Sequence, residues 1–201
     1  MSTCGFGHLR TCLDPRPTGG PSSGDEVAWL PISGRAPQRL SRPLGVRLRR
    51  SELDRYLHEQ AGQDARRKVA APFVLVDREG SIAGYYTLSA YAIRMGELLE
   101  TIAKKLPRYP LLPATLLGRL AISSSCRGQS LGRLLLMDAL NRSWRNTSEV
   151  ASVGVVVEAL DENAVAFYLH HEFQPLKDHP DKLFLAMATM KGRSSRRGAT
   201  S

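Results

Sequence analysis

Long apolar runs are absent from this 201-residue sequence. A helix that crosses a membrane needs about 18 to 20 consecutive apolar residues, and no segment approaches that length. The opening MSTCGFGHLRTCLDPRP also lacks the continuous apolar segment of a secretory signal. We therefore expect a cytoplasmic globular protein that does not enter membranes.

Cysteine is scarce, and its spacing is irregular. Cys4, Cys12 and Cys126 are odd in number and match no zinc or CxxC pattern, so neither a disulfide framework nor a structural metal is predicted. His170 and His171 are adjacent and would point apart on a helix. The sequence therefore predicts no metal site.

Excess positive charge is confined to the two ends of the chain, although the net charge is +9. Residues 1–50 hold eight Lys and Arg against three Asp and Glu, residues 191–201 hold four basic and no acidic residues, and the body between holds sixteen of each sign. A polyanion site on the body would need its basic residues gathered on one face; scattered solvated charges are the alternative. Candidates for such a face are Lys104, Lys105, Arg108, Arg119, Arg133, Arg142 and Arg145.

Composition divides the chain into three parts. Residues 1–46 contain six of the twelve prolines and seven of the seventeen glycines without apolar periodicity, which predicts a disordered extension. Residues 47–190 form the predicted domain, and residues 191–201 a frayed basic tail. The domain pattern predicts helices at 51–68, 96–106, 131–144 and from 162, a hairpin at 72–77 and 81–90, and strands at 115–122, 151–160 and 183–190. This order predicts an α/β (α+β) fold with a mixed central sheet flanked by helices.

A small-residue loop from Arg127 to Gly132 joins a predicted strand to a predicted helix. Such a junction presents unpaired backbone N–H groups and the positive end of a helix dipole, which suits a phosphate or pyrophosphate. Turns of this kind also occur without a ligand, so the loop alone leaves a purely structural role open.

The segment LGRLAISSSCRGQSLGRLLLMDAL resembles motif A of the GNAT acyl-CoA N-acyltransferases, whose Q/R-x-x-G-x-G/A loop grips the pyrophosphate of acetyl-CoA. Ser130 stands where the family has its middle glycine. A side chain there resists positive φ, at a cost of about 1 kcal/mol if that geometry is needed, while its hydroxyl could donate to a phosphate. The resemblance implies that acetyl-CoA is bound by Leu120, Ala121, Ile122, Arg127, Gly128, Gln129, Ser130, Leu131, Gly132, Arg133 and Asn163.

A second stretch, VVVEALDENAVAFY, resembles motif B of the same family. The resemblance implies that Tyr168 is the catalytic residue that protonates the departing CoA thiolate; packing of an aromatic side chain is the alternative. Glu172 replaces the glycine of the family's Gly-Phe, a difference expected to change a turn rather than the chemistry. Cys126 as a nucleophile and Glu158 as a base acting through water are weaker candidates.

Residues 51–190 resemble the GNAT toxins of type II toxin-antitoxin systems, through segments such as LDRYLHEQAGQDARRK, AGYYTLSAYAI and KKLPRYPLLPATLLGRLAI. The resemblance implies acetylation of the α-amino group of aminoacyl-tRNA, inhibition by a ribbon-helix-helix antitoxin, and a homodimer. Lys104, Lys105, Arg108 and Arg119 are then the expected tRNA contacts. Two alternatives remain: an acetyltransferase of a small amine or protein amine, and a GNAT-shaped binding module without catalysis.

Overall fold

The computed structural model describes residues 28–31, 51–76, 80–126 and 130–190. Helices within these ranges are α1 (Ser51–Glu59), α2 (Ala61–Arg67), α3 (Glu100–Ala103), α4 (Leu131–Asn146) and α5 (Glu162–His170). The strands are β1 (Ala28–Pro31), β2 (Ala71–Val76), β3 (Ile82–Arg94), β4 (Leu111–Ile122), β5 (Gly154–Glu158), β6 (Gln174–Leu176) and β7 (His179–Ala186). None of the described helices is both long and apolar enough to cross a bilayer.

One mixed sheet contains all the described strands, in the order β1-β2-β3-β4-β5-β7-β6. The β4–β5 pair is parallel, and every other neighbouring pair is antiparallel. Helix α4 makes the crossover that a parallel pair requires. The predicted mixed sheet with flanking helices is confirmed.

Strands β4 and β5 separate soon after they meet. Their pairing covers only Thr115, Leu116 and Leu117 opposite residues 155–157, whereas β4 continues to Ile122. A bulge lies at the same place, because Thr87 pairs with Arg119 and Leu88 with Leu117, leaving Gly118 without a partner on β3. A bulge bends a strand and increases its twist, so β4 turns away from β5 beyond residue 117.

Each face of the sheet carries its own apolar core. On one face α4 and α5 pack over the middle of the sheet, through residues such as Leu135, Leu136 and Tyr168. On the other face α1 and α2 cover Tyr85 and Ala121. The segment around α3 covers the neighbouring part of that second face, where Ile93 is buried, since Ile93 lies eight residues after Tyr85 on β3 and side chains alternate along a strand.

Several predicted boundaries differ from the structure. The helix predicted at 51–68 is divided at Gln60, and the helix predicted at 96–106 is a 3-10 turn at Met95–Glu97 followed by the four-residue α3. The strand predicted at 183–190 begins at His179 and ends at Ala186, and residues 187–190 are helical. Met187 and Met190 are both buried against the α4 core. Residues three positions apart lie on the same face of a helix but on opposite faces of a strand, so a helical turn is needed to bury both.

Two short strands were missed by the sequence patterns. Strand β6 is only three residues long and too short to show alternation. Strand β1 lies inside the segment 1–46 that is predicted to be disordered, and pairs with β2 from Ala28↔Val76 to Pro31↔Phe73. The rest of that segment and the tail 191–201 lie outside the described residues, so the predicted division of the chain remains a prediction there.

Gly154 at the start of β5 gives a test of this packing. A Cβ built on Gly154 would lie 2.3 Å from ring atoms of Phe184 on β7 and 2.5 Å from the carbonyl oxygen of Leu185. We expect Gly154→Ala to lower the free energy of unfolding by about 1–3 kcal/mol in urea denaturation, because the ring or the strand must shift. Gly96→Ala is the matched control, since its Cβ would meet nothing within 4 Å. An equal loss of stability in both variants would contradict the close packing of Gly154 against Phe184 and Leu185.

Candidate functional site

Beyond Leu117, β4 pairs with β3 but no longer with β5, so one of its edges can offer backbone groups to a ligand. Ser123 N–H donates to the Ala83 carbonyl at 2.8 Å, so the backbone groups of Ser123 face β3. Because these directions alternate along a strand, Ala121, opposite Tyr85, faces β3 as well. Leu120 and Ile122 face the opposite side, where β5 has diverged. Of the three residues that the resemblance assigns to acetyl-CoA on β4, Leu120 and Ile122 thus turn N–H and C=O groups toward the gap, where no described strand pairs with them.

The N-terminus of α4 lies beside this gap. Ser130 precedes the helix in the left-handed conformation, with φ 55° and ψ 18°, and its side chain makes no capping hydrogen bond. The backbone N–H groups of Leu131 and Gly132 open a 16-residue helix and therefore have no intrahelical acceptor. Arg127, Gly128 and Gln129 lie outside the described residues, and Arg133 is exposed in the first turn.

Three elements meet at Gly132. A Cβ at this position would lie 3.1 Å from Cδ1 of Ile122 on β4 and 3.7 Å from the ring of Phe167 on α5. A larger residue would require the Ile122 side chain to give way by a few tenths of an ångström. The glycine therefore brings the helix N-terminus, the open strand edge and α5 to one point, and Asn163 lies exposed in the first turn of α5.

Tyr168 follows Phe167 on α5 and is 7% exposed. Tyr86 and Tyr56, also buried, donate their hydroxyl protons to Asp138 and Asp64. By contrast, the Tyr168 hydroxyl has no hydrogen-bond partner among the described residues. Burial raises the pKa of Tyr168, so its proton stays bound at neutral pH. A buried hydroxyl without a partner costs stability, which favours a role outside packing.

The C-terminus of α5 fixes the position of Tyr168. Phe173 N–H donates to the Tyr168 carbonyl at 3.1 Å and Glu172 N–H to the Leu169 carbonyl at 3.0 Å, which is the Schellman arrangement. The rings of Tyr168 and Phe173 pack with centroids 5.4 Å apart. Glu172 replaces the family's glycine and was expected to change this turn. It has φ 70°, so the turn keeps the left-handed conformation that favours glycine.

The N-terminus of α5 is also capped. Asp161 accepts a hydrogen bond from Ala164 N–H at 2.8 Å through Oδ1. An acidic cap satisfies a free backbone donor and complements the helix dipole. Both ends of this nine-residue helix are therefore held in place.

The weaker catalytic candidates have other surroundings. Glu158, at the end of β5, forms an ion pair with Lys182, with Oε1 3.0 Å from Nζ. Cys126 is a half-buried thiol packed against the α4 core. His171 is buried, with Nδ1 2.7 Å from the Phe167 carbonyl oxygen. The described residues contain no group of three or more His, Cys, Asp and Glu side chains able to hold a metal ion.

The expected basic contacts divide into two groups. Lys104, Lys105 and Arg108 are exposed just after α3, and Lys104 lies 3.5 Å from Glu100 in a solvated ion pair. Arg119 is different: its guanidinium carbon lies 3.6 Å from the centre of the Tyr56 ring. Both groups lie on the face of the sheet covered by α1, α2 and the α3 segment.

Sequence reasoning missed the support beneath Arg119. Tyr56 Oη donates to Asp64 Oδ2 at 2.9 Å, and burial together with this hydrogen bond raises the pKa of Tyr56 to about 12. The two residues lie eight positions apart on separate helices. Because the sequence predicts one continuous helix there, it gave no sign that they meet.

Comparison with known proteins agrees with this geometry. No protein-family model matches the chain. The tRNA-acetylating toxin of Mycobacterium tuberculosis is 30% identical over 135 residues, which cover 67% of this chain and 80% of the relative. AtaT in complex with acetyl-methionyl-tRNAfMet superposes with a TM-score of 0.77 at 26% identity, over 84% of this chain and 99% of AtaT. A mutant AtaT toxin with the C-terminus of the antitoxin AtaR gives a TM-score of 0.70 at 26% identity, over 85% of this chain and 98% of that one. AtaTR with AcCoA gives a TM-score of 0.67 at 26% identity, over 84% of this chain and 98% of that one.

The fold and the open β4 edge define a GNAT-type N-acetyltransferase. The chain belongs to the family of tRNA-acetylating toxins.

Ser130 gives a test of the loop geometry. We expect Ser130→Gly to bind acetyl-CoA equally or up to about fivefold more tightly by calorimetry, because glycine adopts positive φ without the cost of about 1 kcal/mol. Glu172→Gly relieves the same backbone strain away from the loop and should leave the dissociation constant unchanged. A large loss of affinity in Ser130→Gly alone would show instead that the hydroxyl contacts the ligand.

Burial of Tyr168 gives a second test. The near-ultraviolet absorbance of phenolate, compared between the wild type and Tyr168→Phe, should show no ionised Tyr168 near pH 10, where free tyrosine is about half ionised. Because the folded state holds this proton more tightly than the unfolded chain, its stabilising contribution should be lost as the pH rises above about 10. A difference signal with the midpoint of free tyrosine would contradict burial of the hydroxyl.

Proposed function

We propose that this protein moves the acetyl group of acetyl-CoA onto the α-amino group of aminoacyl-tRNA, with Tyr168 as the general acid. The observation that carries this proposal is the buried Tyr168 hydroxyl, protonated and without a partner among the described residues, on the helix that packs against Gly132. A proton donor of this kind suits a leaving group that departs as a thiolate.

The acyl donor would bind in two places. The backbone of Leu120 and Ile122 can pair with the amide groups of the pantetheine arm as an added strand, since β5 no longer occupies that edge. The pyrophosphate would lie at the N-terminus of α4, against the N–H groups of Leu131 and Gly132, which have no intrahelical acceptor. Arg127, Gly128 and Gln129 are assigned to the same phosphates from their motif.

The transfer needs no covalent intermediate on the protein. The amine nitrogen attacks the thioester carbonyl, the carbon–nitrogen bond forms, and the carbon–sulfur bond then breaks. The sulfur takes the proton of the Tyr168 hydroxyl, and the proton lost by the amine returns the tyrosine to its neutral form through solvent. Holding two reactants in register supplies much of the rate in such reactions.

A strong general base is unnecessary for this acceptor. An α-amino group has a pKa of about 7.7 to 8.0, and the ester of a charged tRNA lowers it further, so much of it is neutral at pH 7. Glu158, the candidate base, forms an ion pair with Lys182. The proposed reaction does not depend on Glu158 as a base.

The acceptor would approach over the face that carries Arg119. Stacking on Tyr56 holds this guanidinium on β4 one residue beyond the bulge, close to the gap. Lys104, Lys105 and Arg108 lie farther along the same face and would contact tRNA phosphates. Binding of charged tRNA should accordingly weaken as salt rises.

Partners follow from the family. AtaT is recorded with acetyl-methionyl-tRNAfMet and with the C-terminus of the antitoxin AtaR. For this chain we assign aminoacyl-tRNA as substrate and an antitoxin of the ribbon-helix-helix class as inhibitor. Its place of action is the cytoplasm, where charged tRNA is found, and the homodimer implied by the family belongs to the same proposal.

Two alternatives are separated by simple measurements. An acetyltransferase of small or protein amines would share the acyl-donor residues but would work without RNA and tolerate salt. A binding module without catalysis would be compatible with the non-glycine residues Ser130 and Glu172. The buried Tyr168 hydroxyl, which no other described residue contacts by a hydrogen bond, argues against the binding module.

Transfer of labelled acetyl from acetyl-CoA to charged tRNA tests the proposal. We expect label on charged tRNA, none on uncharged tRNA or free amino acids, and a turnover at least about 100-fold lower in Tyr168→Phe with acetyl-CoA binding retained, because a general acid contributes about that much. Label on free amines without RNA would favour the small-amine enzyme.

Tyr86→Phe is the matched control for this experiment. It removes the same atom from a buried tyrosine of the same core, but from a hydroxyl that donates to Asp138. We expect lower stability and retained turnover. Equal turnover of Tyr168→Phe and wild type would refute the assigned role.

A further inference from the structure

A polar break interrupts the apolar cover on the face of the sheet under α1, α2 and the α3 segment. On this face of β4, Ala121 belongs to the apolar cluster under α1 and α2, and Ala114 to the cluster under the α3 segment. Gly118 and Arg119 lie between the two clusters, and Thr87 is opposite Arg119 on β3. The polar break formed by Thr87, Gly118 and Arg119 therefore coincides with the bulge in β4.

Gly118 keeps the polar break uncovered. A Cβ built on Gly118 would lie 3.1 Å from the hydroxyl oxygen of Thr87, so a side chain at this position would project over the same face as Thr87. Gly118 is itself exposed. The glycine thus leaves a bare patch of backbone beside Arg119.

The thioester of acetyl-CoA is expected beside the polar break, a step that rests on the proposed function. The start of α4, which would hold the pyrophosphate, lies next to Ile122, whose side chain is against Gly132. The pantetheine arm would therefore pass Ile122 first and Leu120 next. Its sulfur end then lies towards Leu117, where β4 and β5 are paired. Arg119 projects from this same place, about 10 Å along the strand from Ile122.

The acid and the amine would then reach the thioester from opposite faces of the sheet. Tyr168 packs in the same core as Leu117, under α4 and α5, whereas Arg119 packs on Tyr56 of α1 on the other face. An aminoacyl ester that brings its amine from the Arg119 side carries its ribose past this guanidinium. The phosphate nearest to the ester in charged tRNA is attached to that same ribose.

The N–H groups of Arg119 are available to such a phosphate. The guanidinium carbon lies 3.6 Å from the centre of the Tyr56 ring, so the ring contacts the flat face of the guanidinium and leaves its edges open. None of the ion pairs between described residues includes Arg119. A planar fork of N–H donors fits two oxygens of one phosphate.

The Tyr56 ring is held from two sides. It stacks on Tyr85 of β3, with ring centroids 6.2 Å apart and an interplanar angle of 19°, and its hydroxyl donates to Asp64 of α2. An arginine side chain that moves freely in solvent must be ordered before it binds a ligand. Stacking on a fixed ring orders Arg119 in advance, which lowers the cost of the binding step.

We propose that Arg119 binds the phosphate of the 3′-terminal nucleotide of charged tRNA, and that Tyr56 is a positioning residue that holds the guanidinium for this contact. The contact places the aminoacyl ester over Gly118, with its amine at the thioester. Lys104 and Arg108 lie after α3 and would meet phosphates farther from the ester. The terminal nucleotide and the body of the tRNA are thus bound by separate residues.

Two stable analogues of 3′-aminoacyl-adenosine test the phosphate contact, one with a 5′-phosphate and one without, each with an amide in place of the ester. In calorimetry with CoA present, the wild type should bind the phosphorylated analogue about tenfold more tightly, which is the size of one charge-assisted contact. Arg119→Gln should lower this preference to about twofold or less. Lys104→Gln should keep the preference while weakening the binding of charged tRNA. Equal affinity of the wild type for the two analogues would overturn the proposal.

The same ratio of affinities tests Tyr56. Tyr56→Leu should lose the preference for phosphate although Arg119 is present, and Tyr56→Phe should keep most of it, because the ring remains. A loss of stability alone would weaken both analogues equally, so the ratio separates positioning from folding. A full preference in Tyr56→Leu would refute the role of Tyr56.

Arg119→Lys decides the case if Tyr56→Leu does not fold. Lysine keeps the charge but neither stacks as a plane nor presents a fork of donors, so the preference should fall to about threefold. An unchanged preference would show that stacking on Tyr56 is not used. These experiments measure binding, whereas absence of label on charged tRNA in the transfer assay would contradict the proposed reaction itself, so the two failures are distinguishable.

Discussion

Parallel pairing between β4 and β5 stops at Leu117 and Val157, while β4 runs on to Ile122. The site depends on this interruption, because a strand with a neighbour on both sides has no free backbone groups to offer. The bulge at Gly118 accounts for the separation without loss of the β3–β4 ladder, which resumes at Arg119. One additional residue thus opens the sheet on one side and keeps it intact on the other.

Two non-glycine residues in left-handed conformations flank the candidate site. Ser130 lies at the start of α4 and Glu172 at the end of α5, and both have φ near 55–70°. Each conformation costs on the order of 1 kcal/mol for a residue with a Cβ. The fold retains both turns, so the packing of Gly132 on Ile122 and Phe167, and of Tyr168 on Phe173, outweighs that cost.

The sequence predicted the helices and strands around the candidate site better than it predicted their boundaries. The β2–β3 hairpin, α4 and β5 have strong periodicity or β-branched residues, and each was located within a few residues. The sequence did not predict contacts between residues far apart in the chain. Arg119 on Tyr56, and Tyr86 with Asp138, join segments 52 or more residues apart, and no local pattern indicates which side chains a sheet brings together.

Tyr168 lies on the last turn of α5, two residues before the helix ends at His170. Its hydroxyl is therefore positioned by a turn that opens more easily than the centre of a long helix. Fraying of that turn would displace the Tyr168 hydroxyl while the sheet and α4 stay folded. With Tyr168 as the proposed acid, the Schellman hydrogen bonds and the Phe173 contact are therefore expected to limit activity at a temperature below the one at which the domain melts.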